Sequence, residues 1–224
     1  TYNLPYTENS KHNLLREGFP VNRIFRSGNP IYEVLRHYEE QIDASSVLGR
    51  LGLTAGQYLL ATIHRAENVD SPEALRGIMQ GLSRTAEEHG LPLVCSLHPR
   101  TRSRLSEELR ASVHPLVTFH EPFGFFDFVH LEKNALLALT DSGTVQEECC
   151  IFGVPTVTVR QTTERPETVD CGSNVVAGLR PEAIRNAARV MVHLRDSWQC
   201  PEGYLDTNVS DKVAKFVLGG KRDV

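Results

Sequence analysis

A chain of 224 residues, 40% of them hydrophobic, can bury one large core, or one domain plus a piece of another. Its formal net charge of -4 argues against a general nucleic-acid binder, despite the local cluster of Arg100, Arg102 and Arg104, and no stretch reads as a membrane span. Five cysteines, Cys95, Cys149, Cys150, Cys171 and Cys200, include no CxxC pair, so no zinc site is expected and a reducing, cytoplasmic setting is. The opening TYNLPYTENS lacks the basic flank and apolar core of a signal peptide, and without an initiating Met the chain is expected to be processed or fragmentary.

In chain order, residues 7–17 read as a short helix stopped at Gly18, followed by a strand at 23–26 and a turn at Ser27, Gly28, Asn29 and Pro30. A helix over 31–41 leads to a connector holding Gly49, Gly52 and Gly56. That connector divides residues 1–56, the tail of another domain, from a larger domain at 57–224. Beyond it strands and helices alternate. Strand 58–63 precedes a helix from 71 to 90, with Ser71 as its cap and Pro72 in its first turn. Strand 93–97, helix 102–111, strand 116–119 and a helical segment at 123–131 follow. The apolar run 135–139 is short enough for a buried strand, and a helix from Val145 meets its stop at Gly153 and Pro155. Strands at 156–159 and 174–176 and helices at 182–194 and 209–218 complete the pattern. Such alternation predicts an α/β fold, a doubly wound Rossmann-like parallel sheet covered on both faces. No GxGxxG follows any strand, so the dinucleotide dehydrogenase version has little support.

The polar residues beyond the carboxyl ends of the strands are the candidate site, because ligands of such sheets bind at that edge. After 135–139 come Ser142, Gly143 and Thr144, placed where free N–H groups and a helix dipole would face a phosphate. Glu147 and Glu148 follow on the same helix, where a carboxylate would accept hydrogen bonds from the vicinal hydroxyls of a ribose. Arg160 and Arg165, with Pro166 stiffening the turn, offer guanidinium forks for phosphate oxygens. A structural reading stays open beside this one: Ser142 as a plain cap, Thr144 with Glu147 as a capping box, and both acids solvated. His64 and Arg65 follow the strand at 58–63. His64 suits an acid, base or phosphate donor, or else a loop histidine held by Glu67. His98 ends the next strand, with Thr101 as an alternative cap and Arg102 and Arg104 solvated. In the segment EPFGFFDF, Phe123 or Phe128 offers a face for a base, and Phe125 and Phe126 are expected in the core.

The segments TDSGTVQEE and RQTTERPE, together with HRAEN after the first strand of the larger domain, resemble the signature of the non-hydrolysing UDP-N-acetylglucosamine 2-epimerases. The resemblance runs over nearly the whole chain, from PYTENSKHNLLREG and SGNP onward, and matches only the second half of such an enzyme. It implies one domain of a glycosyltransferase-B-type two-domain architecture, a UDP-sugar substrate, no metal or other cofactor, and a homodimer at full length. It also implies elimination of UDP to give a 2-acetamidoglucal and re-addition after protonation at C2. Carried over by residue, Ser142, Gly143 and Thr144 match the phosphate loop, Glu148 the ribose carboxylate, Arg165 the pyrophosphate arginine and Phe128 the base contact. His64 matches an active-site histidine, and Arg65 joins the UDP-binding set. Thr144 replaces a glycine of many members, Phe123 stands where some have glutamine, and HPRT replaces the His-Xaa-Asn-Pro of members activated by their substrate. PFGFFDF and SGT look like a sub-branch that includes epimerases of other UDP-N-acetyl sugars. A glycosyltransferase of the same architecture and a non-catalytic UDP-sugar sensor remain the alternatives.

Overall fold

The computed structural model describes residues 1–194 and 198–219. The chain divides into two compact units: Thr1–Glu39 together with the residues from Gln199 onward, and Glu40–Trp198. In the first, helix α1 (Glu8–Arg16) starts at Thr7, whose hydroxyl accepts the Ser10 N–H at 3.2 Å. The strand expected at 23–26 is reduced to one bridge, Ile24 beside Asn3, after a 3-10 turn at Val21–Arg23. Among the described residues Asn3 is its single partner, too little for a ladder to grow. Helix α2 (Ile31–His37) ends at Tyr38, so the helix expected over 31–41 is broken there. The closing helix, Val209–Leu218, falls where the sequence places it.

The second unit begins with α3 (Glu39–Asp43) and α4 (Val47–Leu51), then β1 (Leu59–Ile63), α5 (Ala66–Val69), α6 (Pro72–His89) and β2 (Leu93–Leu97). Next come α7 (Pro99–Arg104), α8 (Glu107–Ala111), β3 (Val117–His120), α9 (Phe125–Asn134) and β4 (Leu137–Thr140). Finally α10 (Gly143–Phe152), β5 (Thr156–Thr158), α11 (Pro166–Asp170), β6 (Asn174–Val176) and α12 (Pro181–His193). All strand pairs are parallel, in the order β3-β2-β1-β4-β5-β6. The doubly wound Rossmann-like sheet is therefore as the sequence implies. The chain steps outward from β1 to β3, then returns to lay β4 on the other side of β1. Order reverses between those two strands, and the carboxyl ends of strands at such a switch point are where ligands of this fold bind.

Side-chain alternation sends Leu59, Ala61 and Ile63 of β1 to one face, against Leu75, Ile78 and Leu82 of α6 and Ile184 of α12. Tyr58 and Leu60 go to the other, with Leu131 of α9 and Val145 and Cys149 of α10. Ser71 caps α6 by accepting the Ala74 N–H at 3.3 Å, and Gly90 ends it with φ +62°. Two departures from local pattern stand out. The helix expected at 102–111 is split, because Leu105 turns into the core and Ser106 caps a new helix by accepting from the Leu109 N–H at 3.2 Å. Phe125 and Phe126 are exposed, not core: they open α9 one turn before its buried face of Val129, Leu131 and Glu132 begins.

Helices α6 and α12 approach closely through small residues. A Cβ on Gly77 would lie 2.8 Å from the Leu179 carbonyl oxygen, and one on Gly81 would lie 2.8 Å from Ile184 Cδ1. Gly77→Ala improves helix propensity by about 1 kcal/mol. It also drives a methyl into a backbone atom that cannot rotate away, and overpacking costs about 1–3 kcal/mol. The overlap outweighs the propensity, so Gly77→Ala is expected to lower the denaturation midpoint in urea at unchanged slope; a higher midpoint would show that α12 yields without cost.

Candidate functional site at the strand switch

Asp141 follows β4 and is wholly buried at the point where strand order reverses. Its carboxylate accepts the His64 N–H at 3.0 Å, the Arg65 N–H at 2.8 Å and the Asn68 side-chain amide at 2.9 Å. The Asn68 amide also donates to the Val159 carbonyl at 3.0 Å, which joins the loop after β1 to the ends of both β4 and β5. A buried carboxylate is tolerable only with such donors. His64 Nδ1 sits 3.4 Å from Asp141 Oδ1, so Asp141, not Glu67, holds this histidine. Burial lowers the His64 pKa below its usual value, as do His98, whose ring lies 5.6 Å away, and Arg65, against the opposing pull of Asp141. At neutral pH His64 is therefore an uncharged imidazole. Its Nδ1 edge is turned toward Asp141, which orients the ring.

The loop after β4 leads into the first turn of α10. Ser142 occupies the cap position, but its hydroxyl makes no capping bond, and Thr144 is exposed. No capping box forms, because Glu147 is buried and bonded to Arg165 Nε. The Arg165 guanidinium lies over Gly143, where a Cβ would stand 3.3 Å from its Cζ. A fixed cation and the positive end of a ten-residue helix thus meet at one spot. Arg165 reaches it through a polar network. Its N–H donates to Thr163 Oγ1 at 3.0 Å, and that hydroxyl donates to Gln146 Oε1 at 2.6 Å. Asn174 donates to the same Gln146 oxygen at 3.2 Å and accepts from the Thr158 hydroxyl at 2.8 Å.

Around this spot the other arginines are paired. Arg65 bonds Glu164 at 3.0 Å, and Arg160 meets Glu67 at 3.2 Å and Glu164 at 3.3 Å. Partial burial opposes it, but these two guanidinia hold the Glu164 carboxyl below the usual carboxylate range. His98 caps α7 by accepting the Arg100 N–H at 3.2 Å, while Thr101 is buried and donates to the Ile63 carbonyl. Arg104 is not merely solvated, for it pairs with Asp70 at 3.2 Å, as Arg102 does with Glu121 at 2.5 Å.

Glu148 is buried as well, so neither acid of the pair is solvated. Burial pushes its pKa up to about 7, and the Glu147 charge adds to the rise while a hydrogen bond from Glu132 on α9 opposes it. Phe128 is half-buried and belongs, with Phe123, to the apolar cluster of Val145 and Cys149. It lies one turn before Glu132, on the same face of α9. His64, Arg65, Ser142, Gly143, Thr144 and Arg165 thus come together at one sheet edge, with Glu148 and Phe128 farther along α9 and α10. Sequence reasoning placed Asn68 at a site position without a role, and missed the roles of Asp141, Gln146, Asn174 and Glu132. Asp141 had a signal, a polar residue directly after a buried strand. Glu132 had none, because an acid in a helix normally points to water.

Fold and site together define a doubly wound α/β protein with a polar, arginine-rich edge at its strand switch. The family model described as UDP-N-acetylglucosamine 2-epimerase matches residues 1–218, and the chain belongs to that family. It is 38% identical over 224 residues to the UDP-N-acetylglucosamine 2-epimerase of Methanocaldococcus jannaschii, covering 96% of this chain and 60% of that protein. The crystal structure of the M. jannaschii enzyme in complex with UDP-GlcNAc and UDP superposes with a TM-score of 0.89 at 37% identity, over 98% of this chain and 61% of that one. The UDP-2,3-diacetamido-2,3-dideoxy-D-glucuronate 2-epimerase of Pseudomonas aeruginosa is 36% identical over 209 residues, 92% of this chain and 56% of that protein. The chain thus spans about three fifths of the length of these relatives.

Asp141→Asn replaces an acceptor-only group with one whose N–H₂ must face at least one of the donors that now point at the carboxylate. Hydrogen bonds to a charged group are worth about 1.5–3 kcal/mol each, so a stability loss of at least ~2 kcal/mol is expected in chemical denaturation. Since the Asp141 charge raises the His64 pKa, the His64 titration midpoint read by NMR should fall further in this variant. An unmoved midpoint would mean that Asp141 does not govern the histidine.

Proposed function

We propose that this chain is the UDP-binding half of an enzyme that interconverts UDP-N-acetylglucosamine and UDP-N-acetylmannosamine by eliminating and re-adding UDP. The observation that carries the reading is the guanidinium of Arg165 laid over Gly143 at the amino end of α10, at the edge of the strand switch. In this reading the N–H groups of residues 142–144 and the Arg165 and Arg65 side chains receive the diphosphate. Glu148 accepts the ribose hydroxyls and Phe128 contacts the uracil. As the C–O bond to UDP breaks, charge gathers on the leaving diphosphate, and donors already fixed there stabilise it more than they stabilise the bound sugar. His64, neutral and oriented by Asp141, serves as a proton carrier at the reacting sugar.

The rest of the reading leans on the family. Residues 57–224 form the UDP domain of a glycosyltransferase-B-type pair, residues 1–56 are the tail of the other domain with its connector, and the whole enzyme is a cytoplasmic homodimer serving polysaccharide synthesis. The Pseudomonas relative supports a second sugar class, a UDP-diacetamido uronate, for the same nucleotide site. Inversion at C2 needs proton removal on one face and return on the other, and among the described residues this half offers His64 and little else for that task.

Two outcomes are expected. UDP should raise the melting temperature of the chain more than uridine does, because a ligand of the folded form alone adds its binding free energy to stability. Equal shifts would remove the phosphate assignment. In heavy water, the chain with UDP-N-acetylglucosamine should leave C2 unlabelled, whereas a protein extended to the full length of the relatives should place deuterium there. Labelling by this chain alone, lost in His64→Ala, would overturn the division of labour.

A further inference from the structure

Glu132 is wholly buried on α9, and neither of its carboxylate oxygens meets an N–H or O–H donor of the protein among the described residues. The group it does meet is the Glu148 carboxyl on α10. Two bare carboxylates cannot satisfy each other, since each is acceptor-only, and their charges repel in a medium that screens little. A shared proton resolves both problems. Among the described residues, the other titratable groups bordering the pair bring no positive charge. Tyr58, at the start of β1, donates to the Leu131 carbonyl at 2.5 Å, and burial holds its phenol protonated. Burial likewise raises the Cys149 thiol, and Glu147 is anionic and bonded to Arg165. The proton therefore resides on the pair itself.

Which carboxyl holds it follows from position. Burial, then the Glu148 charge, drives Glu132 well above the usual carboxylate range, whereas the slightly exposed Glu148 is pushed only to about 7. Above about pH 7 the pair is a carboxylic acid on Glu132 donating to a carboxylate on Glu148. We propose that Glu132 is a positioning residue of the nucleotide subsite: its protonated carboxyl donates to Glu148 and fixes that carboxylate to receive the vicinal hydroxyls of a ribose. The inference rests on the assignment of Glu148 under the proposed function. It adds to that assignment a buried acid that touches no substrate and acts as a donor, never as an anion.

Glu132→Gln keeps a donor of similar shape, whereas Glu132→Met keeps the volume and loses the donor. The probes are UDP and 2′,3′-dideoxy-UDP, measured by titration calorimetry from pH 6 to 8. Their phosphates titrate alike, so their affinity ratio isolates the contact to Glu148. For the unaltered chain the ratio should rise as pH increases through about 7, the point at which Glu148 becomes ionised. In Glu132→Met, loss of a hydrogen bond to a charged group should cut the ratio at pH 7 about tenfold and move its rise to higher pH. Glu132→Gln should restore both. Infrared difference spectra at pH 8 supply a ligand-free readout: a protonated carboxyl band, present in the unaltered chain and absent from Glu132→Gln. A ratio and midpoint unchanged in Glu132→Met, or a band that survives Glu132→Gln, overturns the proposal. If the unaltered chain fails to discriminate the two nucleotides while the band behaves as described, the ribose assignment of Glu148 fails and takes the positioning role with it. If discrimination is lost in Glu148→Gln but not in Glu132→Met, the positioning role alone fails.

Discussion

The carboxylate of Asp141 is the constraint on which the site depends. It stands without solvent at the end of β4, where an unpaired charge would cost several kcal/mol. The donors that make it tolerable all come from the loop after β1 and the short helix behind it. That helix, α5, has four residues and no capping side chain, too few to hold together unaided. Its geometry is borrowed from Asp141 and, through Asn68, from the end of β5. One buried acid therefore sets where the imidazole of His64 sits and where the backbone turns toward Ser142. The histidine and the turn into α10 share an anchor.

The charges at this edge are of two kinds, distinguished by burial. Glu164 is about half exposed in its pairs with Arg65 and Arg160, and such surface pairs contribute about 0–1 kcal/mol. On the proposed reading, a diphosphate, with more charge and more acceptors, would displace a carboxylate of that kind at little cost. Glu147 differs, being buried beneath Arg165. Removing its partner would strand a charge, so this pair persists and serves to aim the guanidinium over Gly143. Arg65 and Arg160 are exchangeable cations, and Arg165 is a fixed one.

Much of this architecture was legible because it rests on local signals. Ser71 with Pro72 marks the start of α6, and Gly153 marks the end of α10 by a backbone angle that glycine accepts most readily. Runs of buried residues reveal the strands because both faces of a parallel sheet are covered. Signals failed where the answer depends on which face a neighbour covers. Phe125 and Phe126 look like core by composition, yet they precede the buried stripe of their helix. Leu105 looks like the interior of a helix, yet the core draws it inward and the helix breaks. Glu132 looks solvated, yet α10 lies across it. The first compact unit departs from local pattern for a related reason, since a strand at 23–26 needs partners beyond Asn3.

The two signature segments were informative only as a pair, and the structure gives the physical reason. TDSGTVQEE and RQTTERPE lie on opposite sides of β5, yet Thr163 bonds Gln146 and Arg165 bonds Glu147. Gln146 also accepts from Asn174, and Asn174 from Thr158, so the coupling passes through the sheet to β6. The loop carrying Arg165 is thereby registered against the amino end of α10, over which its guanidinium lies. Rigid placement of both is what the proposed stabilisation of a leaving diphosphate would require, because donors that must reorganise during bond breaking return part of their stabilisation. Several signature residues, Gln146 and Thr163 foremost, therefore have a role that needs no ligand contact: they fix the distance between two positive ends.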